Sequence, residues 1–372
     1  MTARRITGRD TARQPTTQHD TVHLDELDPM APPERPLRDL TAGEVERFVR
    51  ERVIHVSGVL SPRWVQRLAD AVDSQTRATG LQSMKANAWH TDEQMHRIIM
   101  NCPVAHLAQQ ALNGLSPASD REPDGELKPV RFFYDQMFVK HPHTEDTEDG
   151  AGPLTDAQGH LGNTPWHHDI TFWPVIGDQI VSIWIALDRT NLHNGALEFV
   201  PGSSSFDDRF QAVGVGNEGR LPFSSDRLKA LPAINSATTG ETDGDLTAIS
   251  FDMEAGDVLI FDATILHGAP PNLSSRPRRG LALRYLGSDV VFDDDKYGER
   301  TSMAPFDCYD ESRSNGDQVA GYAYPQVLPH KIRAEVEARL EGPIIPSRAK
   351  MQRWRSRAEA ASTAASTGQE LR

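Results

Sequence analysis

Apolar residues recur every three or four positions in the first third of the chain and alternate through its middle, so the sequence reads as helices followed by strands. Thr41-Ala-Gly-Glu44 has the form of a capping box, in which Glu44 reaches back to the Thr41 amide. Val45, Phe48 and Val49 follow at helical spacing. Residues 53–60 are rich in β-branched side chains and predict a strand. Ser61 as a cap and Pro62 at the first helical position open a second helix, with Leu68 and Val72 on its apolar side. Further helices are predicted over 92–100, 103–112 and 334–340.

From about Val130 the pattern turns strand-like, over 131–140, 179–188, 196–200, 257–261 and 280–286. Two of these strands are informative in their parity. Val181, Ile183, Ile185 and Leu187 share one face, and Ser182, Trp184 and Ala186 share the other. Likewise Arg278, Gly280, Ala282 and Arg284 oppose Leu281, Leu283 and Tyr285. A strand with core on one side and a lined cavity on the other fits a mainly β fold with flanking helices (α+β) around a double-stranded β-helix, the jelly-roll barrel of cupin-like proteins. The expected organisation is a disordered leader over 1–38, a single domain over 39–345 and a helical or disordered tail over 346–372. Two loop insertions are expected, near 203–246 and over the polar, acidic stretch 141–163, whose length suggests a functional loop.

Composition narrows the function classes. A net charge of −14 argues against a nucleic-acid partner, because phosphate backbones demand clustered Lys and Arg. No run of 18 apolar residues predicts a membrane span, and the first residues lack the apolar stretch of a secretory signal. Cys102 and Cys308 make neither a disulfide framework nor a metal site, which points to a reducing cytoplasm. A small-molecule substrate is the expected partner, and the sequence leaves oligomeric state open.

The candidate chemistry lies in Thr164-Pro-Trp-His-His-Asp169 and in Asp257-Val-Leu-Ile-Phe-Asp-Ala-Thr-Ile-Leu-His-Gly268. Two histidines and one carboxylate are what a mononuclear non-haem iron(II) site needs, because they leave the other octahedral positions open. On an extended strand His167 and Asp169 point the same way and His168 points oppositely, so His167, Asp169 and His267 are the candidate metal and catalytic set. His168 and Asp262 read as structural, while Trp166, Phe172 and Trp173 divide evenly between core packing and a substrate pocket.

Four blocks in order resemble the phytanoyl-CoA dioxygenase family of iron(II)- and 2-oxoglutarate-dependent oxygenases. They are Phe138-Val-Lys-His-Pro142, residues 164–174, residues 182–188 with Asn194-Gly-Ala-Leu-Glu-Phe-Val-Pro-Gly-Ser203, and residues 256–280. The resemblance implies Fe(II), 2-oxoglutarate and O2, with His167, Asp169 and His267 as iron ligands. It implies that Arg278 binds the distal carboxylate of 2-oxoglutarate, a contact suited to a fork-shaped guanidinium. Arg279 is its rival, and strand parity lets only one face inward. Lys140 and Trp184 match residues beside the cosubstrate pocket. Ala269 stands where several relatives carry a serine that helps bind 2-oxoglutarate, and Ser182 or a water is expected to supply that hydroxyl. The implied reaction is hydroxylation of a small molecule with succinate and CO2 as coproducts. Desaturation, cyclisation or epimerisation at the same ligands remain open, and the retained Asp169 disfavours halogenation. Two other readings are a cupin-like metalloprotein that does not use 2-oxoglutarate, against which Arg278 and Lys140 argue, and a silent jelly-roll binder, against which the intact ligand set argues.

Overall fold

Thr41 caps the first helix, α1 (Ala42–Glu51), and both halves of the capping box form: the Glu44 amide donates to Thr41 Oγ1 at 3.2 Å and the Thr41 amide to Glu44 Oε2 at 2.7 Å. The computed structural model describes residues 27–29, 31–79, 84–115, 129–142, 162–210, 227–293, 314–321 and 323–329. Strand β1 (Val53–Val56) follows and stops short of the predicted residue 60, because Gly58 turns the chain at φ 67° before α2 (Pro62–Thr79). Then come β2 (Met84–Ala86), the one-turn α3 (Ala88–Thr91), α4 (Glu93–Asn101) and α5 (Val104–Leu115).

The strands after these helices alternate between two walls. They are β3 (Val130–Lys140), β4 (Thr164–His167), β5 (Val175–Ile176), β6 (Ile180–Ala186), β7 (Glu198–Phe199), β8 (Ile234–Asn235), β9 (Leu246–Thr247), β10 (Ile249–Ser250), β11 (Val258–Asp262), β12 (His267–Ala269), β13 (Arg278–Leu286), β14 (Val291–Phe292) and β15 (Gln326–Leu328). The larger wall is an antiparallel sheet ordered β1-β11-β6-β13-β3-β15, with β2 also paired to β3. The smaller wall is ordered β10-β7-β12-β4. Chain order therefore crosses from wall to wall at β3–β4, β6–β7, β10–β11, β11–β12 and β12–β13, which is the alternation of a jelly roll.

Parity decides what each face of the larger wall meets. Val181, Ile183, Ile185, Leu281, Leu283 and Tyr285 pack with Leu68 and Val72 of α2, Ile98 and Ile99 of α4 and Leu107 of α5 in the principal core. That core fixes the register of β6 and β13 and turns Ser182, Trp184, Arg278, Ala282 and Arg284 the other way, since a slip by one residue would exchange the two sets.

Three features depart from the sequence reading. Residues 27–29 and 31–38 are held rather than loose: Leu27 is buried, Glu34 accepts a hydrogen bond from Trp64 Nε1 at 2.8 Å, and Asn101 Nδ2 donates to the Asp28 carbonyl at 3.0 Å. Helix α3 was not foreseen, because its stabiliser is remote in sequence: Asp135 on β3 accepts from the amides of Ala88 and Trp89, both at 3.1 Å. The predicted strand at 196–200 shrinks to β7. The predicted helix 334–340, the tail and most of 141–163 lie outside the described residues, as do 211–226 within the second insertion. Among the described residues no helix is long and apolar enough to cross a membrane.

His96 gives this layer an acid sensitivity. It is buried on α4, stacked on Trp89 with ring centroids 5.4 Å apart, and burial pushes its imidazole down to about 4. The unfolded chain takes up that proton near pH 6.5, so the contribution is intact above that pH and is lost as pH falls towards 4, by roughly 3 kcal/mol. Asp135, pushed up to about 6 by burial, acts in the opposite sense. The test is therefore a difference: His96→Phe should lose less melting temperature than wild type between pH 7 and pH 5. Parallel melting curves for the two proteins would remove this role from His96.

Candidate metal centre

His167 ends β4 and His267 begins β12, and the two are direct partners across the smaller wall. Their rings come within 4.2 Å, centroid to centroid. Each imidazole hydrogen-bonds through Nδ1 to a carbonyl two residues back, His167 to Pro165 at 2.7 Å and His267 to Ile265 at 3.1 Å. A carbonyl only accepts, so both Nδ1 atoms carry the proton and both Nε2 lone pairs are free for a ligand. Both Nε2 atoms face Asp169 Oδ1, at 3.5 and 3.8 Å.

Asp169 is reached differently from the expectation. His168 keeps an extended backbone, but Asp169 opens a single 3-10 turn, Asp169–Thr171, rather than continuing β4. Burial alone would raise its carboxyl; Arg284 and the two imidazoles outweigh this and hold it well below the usual carboxylate range. Burial, reinforced by His167, pushes His267 down to about 4, which keeps that ring neutral at physiological pH. His167, Asp169 and His267 each offer one donor atom, all within 4.8 Å of one another. Donors about 2.1 Å from a shared ion lie on the order of 3 Å apart, so small side-chain adjustments suffice. Two neutral nitrogens and one carboxylate oxygen fit an octahedral ferrous ion.

These residues and both walls line one cavity. Two buried cations also line it. Arg278 and Lys140 are register partners on β13 and β3, and both are buried. Lys140 Nζ donates to the carbonyls of Ala269 and Pro270, and burial with Arg278 alongside lowers its ammonium well below its ordinary value. Arg278 donates through Nη2 to the Gly195 carbonyl and lies under the Trp184 indole, 5.1 Å from its centroid. Burial brings this guanidinium down to about 10. Gly195 is required here: its φ is 84°, and a Cβ would stand 2.8 Å from both Lys140 Cδ and the Pro270 carbonyl. Neither cation forms an ion pair with a carboxylate among the described residues, so this pole suits an anionic ligand.

Arg279 faces outward, paired with Asp188 at 2.7 Å and Asp73 at 3.0 Å, which leaves the inward position to Arg278. Trp184, Lys140, Phe172, Trp173 and Ala269 line the cavity, whereas Trp166 is packed in a separate core with Val200 and Leu266. His168 hydrogen-bonds through Nδ1 to the Thr264 carbonyl at 2.6 Å and stacks near Phe210, away from the cavity. Asp262 accepts from the Thr264 amide at 2.7 Å and pairs with Arg52 at 3.2 Å, a structural role. Ser182, expected as a cosubstrate contact, donates through Oγ to Asp169 Oδ2 at 3.2 Å, and its register partner on β13 is Arg284 rather than Arg278. Arg284, which the sequence placed only on a face, lines the cavity beside Asp169.

Gly280 makes room for the Trp184 indole. A Cβ on Gly280 would stand 2.1 Å from Trp184 Cζ2. Gly280→Ala should therefore displace the indole, destabilise the fold by about 1–3 kcal/mol and weaken binding at the cationic pole. Urea melts and ligand titration test this, and wild-type values in both would mean that Trp184 relocates freely.

A family model described as phytanoyl-CoA dioxygenase (PhyH) matches residues 48–280. A protein of Stutzerimonas stutzeri described as a probable alpha-ketoglutarate-dependent hypophosphite dioxygenase is 28% identical over 141 residues, 37% of this chain and 45% of that protein. The peroxisomal phytanoyl-CoA dioxygenase of Rattus norvegicus is 26% identical over 131 residues, 34% of this chain and 35% of the relative. The chain thus spans under half the length of these curated relatives. Among solved structures, the non-heme alpha ketoglutarate dependent carbocyclase SnoK from nogalamycin biosynthesis superposes with a TM-score of 0.53 at 18% identity, covering 77% of this chain and 96% of that one. The epimerase SnoN of the same biosynthesis gives 0.52 at 19% identity, over 77% and 97%. At such identities these two structures establish a shared fold.

Proposed function

The chain belongs to the phytanoyl-CoA dioxygenase family, and from that premise we propose that it is an iron(II)- and 2-oxoglutarate-dependent oxygenase that hydroxylates a small molecule. The observation that carries this reading is one cavity lined both by His167, Asp169 and His267, whose donor atoms gather within 4.8 Å, and by the buried cations Arg278 and Lys140. Iron(II) bound by the first set would, with O2 and 2-oxoglutarate, supply oxidative decarboxylation to succinate and CO2 coupled to oxidation of a substrate carbon.

The chain's own residues do the positioning. Arg278 holds the distal carboxylate of 2-oxoglutarate, with the Trp184 ring packed against its guanidinium and the Gly195 carbonyl accepting from Nη2. Lys140 adds a second positive pole from the paired strand. Phe138, Phe172, Trp173, Leu197 and Phe261 give the cavity apolar walls, which favour a substrate with an apolar skeleton and keep water away from the reacting atoms. Hydroxylation is preferred to halogenation because Asp169 occupies the position a halide would need. Fe(II), 2-oxoglutarate and O2 are the cofactor and cosubstrates of this reading.

Calorimetric titration separates the reading from its rivals. 2-Oxoglutarate should bind only once iron(II), or manganese(II) as a redox-inert substitute, has been added, and succinate should accumulate aerobically with a metabolite panel. Metal binding with no 2-oxoglutarate binding would identify a metalloprotein of another kind. Absence of both would leave a silent scaffold.

A further inference from the structure

The outer oxygen of Asp169 has its own partners. Oδ1 faces the two imidazoles, whereas Oδ2 accepts from Ser182 Oγ at 3.2 Å and lies 3.7 Å from Arg284 Nε. Ser182 and Arg284 are direct register partners on β6 and β13, in the middle of the larger wall. One cross-strand pair therefore reaches over from one wall to a residue that follows β4 on the other. Arg284 is 3% exposed, and its guanidinium carbon lies over the rings of Tyr134 at 4.3 Å and Trp173 at 5.5 Å. Its Nε and Nη1 are buried and make no hydrogen bond. Among the described residues Asp169 is the one carboxylate that forms an ion pair with it. A guanidinium buried at this cost, held on aromatic faces and aimed at a single carboxylate oxygen, is built to act on that carboxylate.

On the metal reading above, we infer that Ser182 and Arg284 are positioning residues that hold Asp169 as a one-oxygen ligand. A carboxylate can meet a metal through one oxygen or both. Occupying Oδ2 from behind turns Oδ1 towards the imidazoles and keeps the second oxygen out of a coordination position that a cosubstrate needs. The arrangement extends to the carboxylate what Pro165 and Ile265 do for the two histidines, so every ligand has its non-ligating atom tied down.

Manganese(II) affinity of the full-length protein tests this without reference to turnover. Arg284→Met should weaken it about 10- to 100-fold, and Ser182→Ala should weaken it in the same direction by a smaller factor. A bare charge effect predicts the opposite sign, because deleting a cation next to a cation site tightens metal binding. In an Asp169→Ala background, where the two imidazoles still bind copper(II), neither change should weaken copper(II) binding by more than about twofold. Unchanged or tighter manganese(II) binding in both single variants overturns the clamp. So does an equal loss in the Asp169→Ala background. If Arg284→Met does not fold, Ser182→Ala alone carries the same signed test. Wild-type protein that binds no manganese(II) would instead overturn the metal reading itself.

Discussion

Asp169→Ala is expected to lower iron(II) affinity by at least about a hundredfold and to abolish 2-oxoglutarate consumption. The lower bound follows from the fact that loss of a mere outer partner of a ligand costs about 10- to 100-fold, and Asp169 supplies the donor atom itself. It also brings the only negative charge of the set: His267 is held neutral by burial, and His167 has its Nδ1 proton committed to the Pro165 carbonyl. Two neutral nitrogens are left, which is too little to retain ferrous iron against water. The same change strips Arg284 of its counter-charge, so the metal-free variant should melt below wild type by an amount typical of a broken buried pair, about 3–5 kcal/mol. Circular dichroism and a melting curve must therefore accompany the iron titration. A folded Asp169→Ala protein that binds iron(II) like wild type removes Asp169 from the ligand set.

Arg278→Met is expected to raise the dissociation constant for 2-oxoglutarate about 100-fold while leaving iron(II) affinity unchanged. A charge-assisted contact in a buried site is worth about 3 kcal/mol, which is that factor. Arg278→Lys should recover little, because an ammonium cannot reproduce both the hydrogen bond to the Gly195 carbonyl and a forked contact with a carboxylate under the Trp184 plane. Arg279→Met is the control. Its side chain ties Asp188 and Asp73 on the outer surface, so it should cost stability and leave cosubstrate binding alone. If the Arg279 variant loses 2-oxoglutarate and the Arg278 variant does not, the assignment of inward and outward arginine is reversed.

What could be read from the chain followed from local rules. Strand alternation separated the core side of β6 and β13 from the cavity side, and it left one inward position for Arg278 and Arg279 to contest; the structure turns Arg279 out. Caps at Thr41 and ahead of Pro62 marked the starts of α1 and α2. What could not be read depends on what lies opposite. Parity says which side Ser182 occupies but not that Asp169 sits across from it, since that meeting depends on how far apart two sheets stand. The 3-10 turn at Asp169 escaped because period-two spacing and a tight turn after an extended His168 bring the same side chain to the same side. Residues 27–29 and 31–38 escaped for another reason. They bind through carbonyls and one carboxylate that satisfy Trp64, Asn101 and His106, and such contacts leave no periodic apolar trace.

One strand carries Arg278 at one end and Arg284 near the other, six residues along the same face. Inserting or deleting a single residue between them would swing one arginine into the helical layer, and with it either the proposed cosubstrate anchor or the proposed support of Asp169. On the proposed oxygenase reading, a change of substrate in a chain of this fold would come from the aromatic surroundings contributed by other segments. The middle of β13 tolerates no single-residue change in length without parting the two arginines.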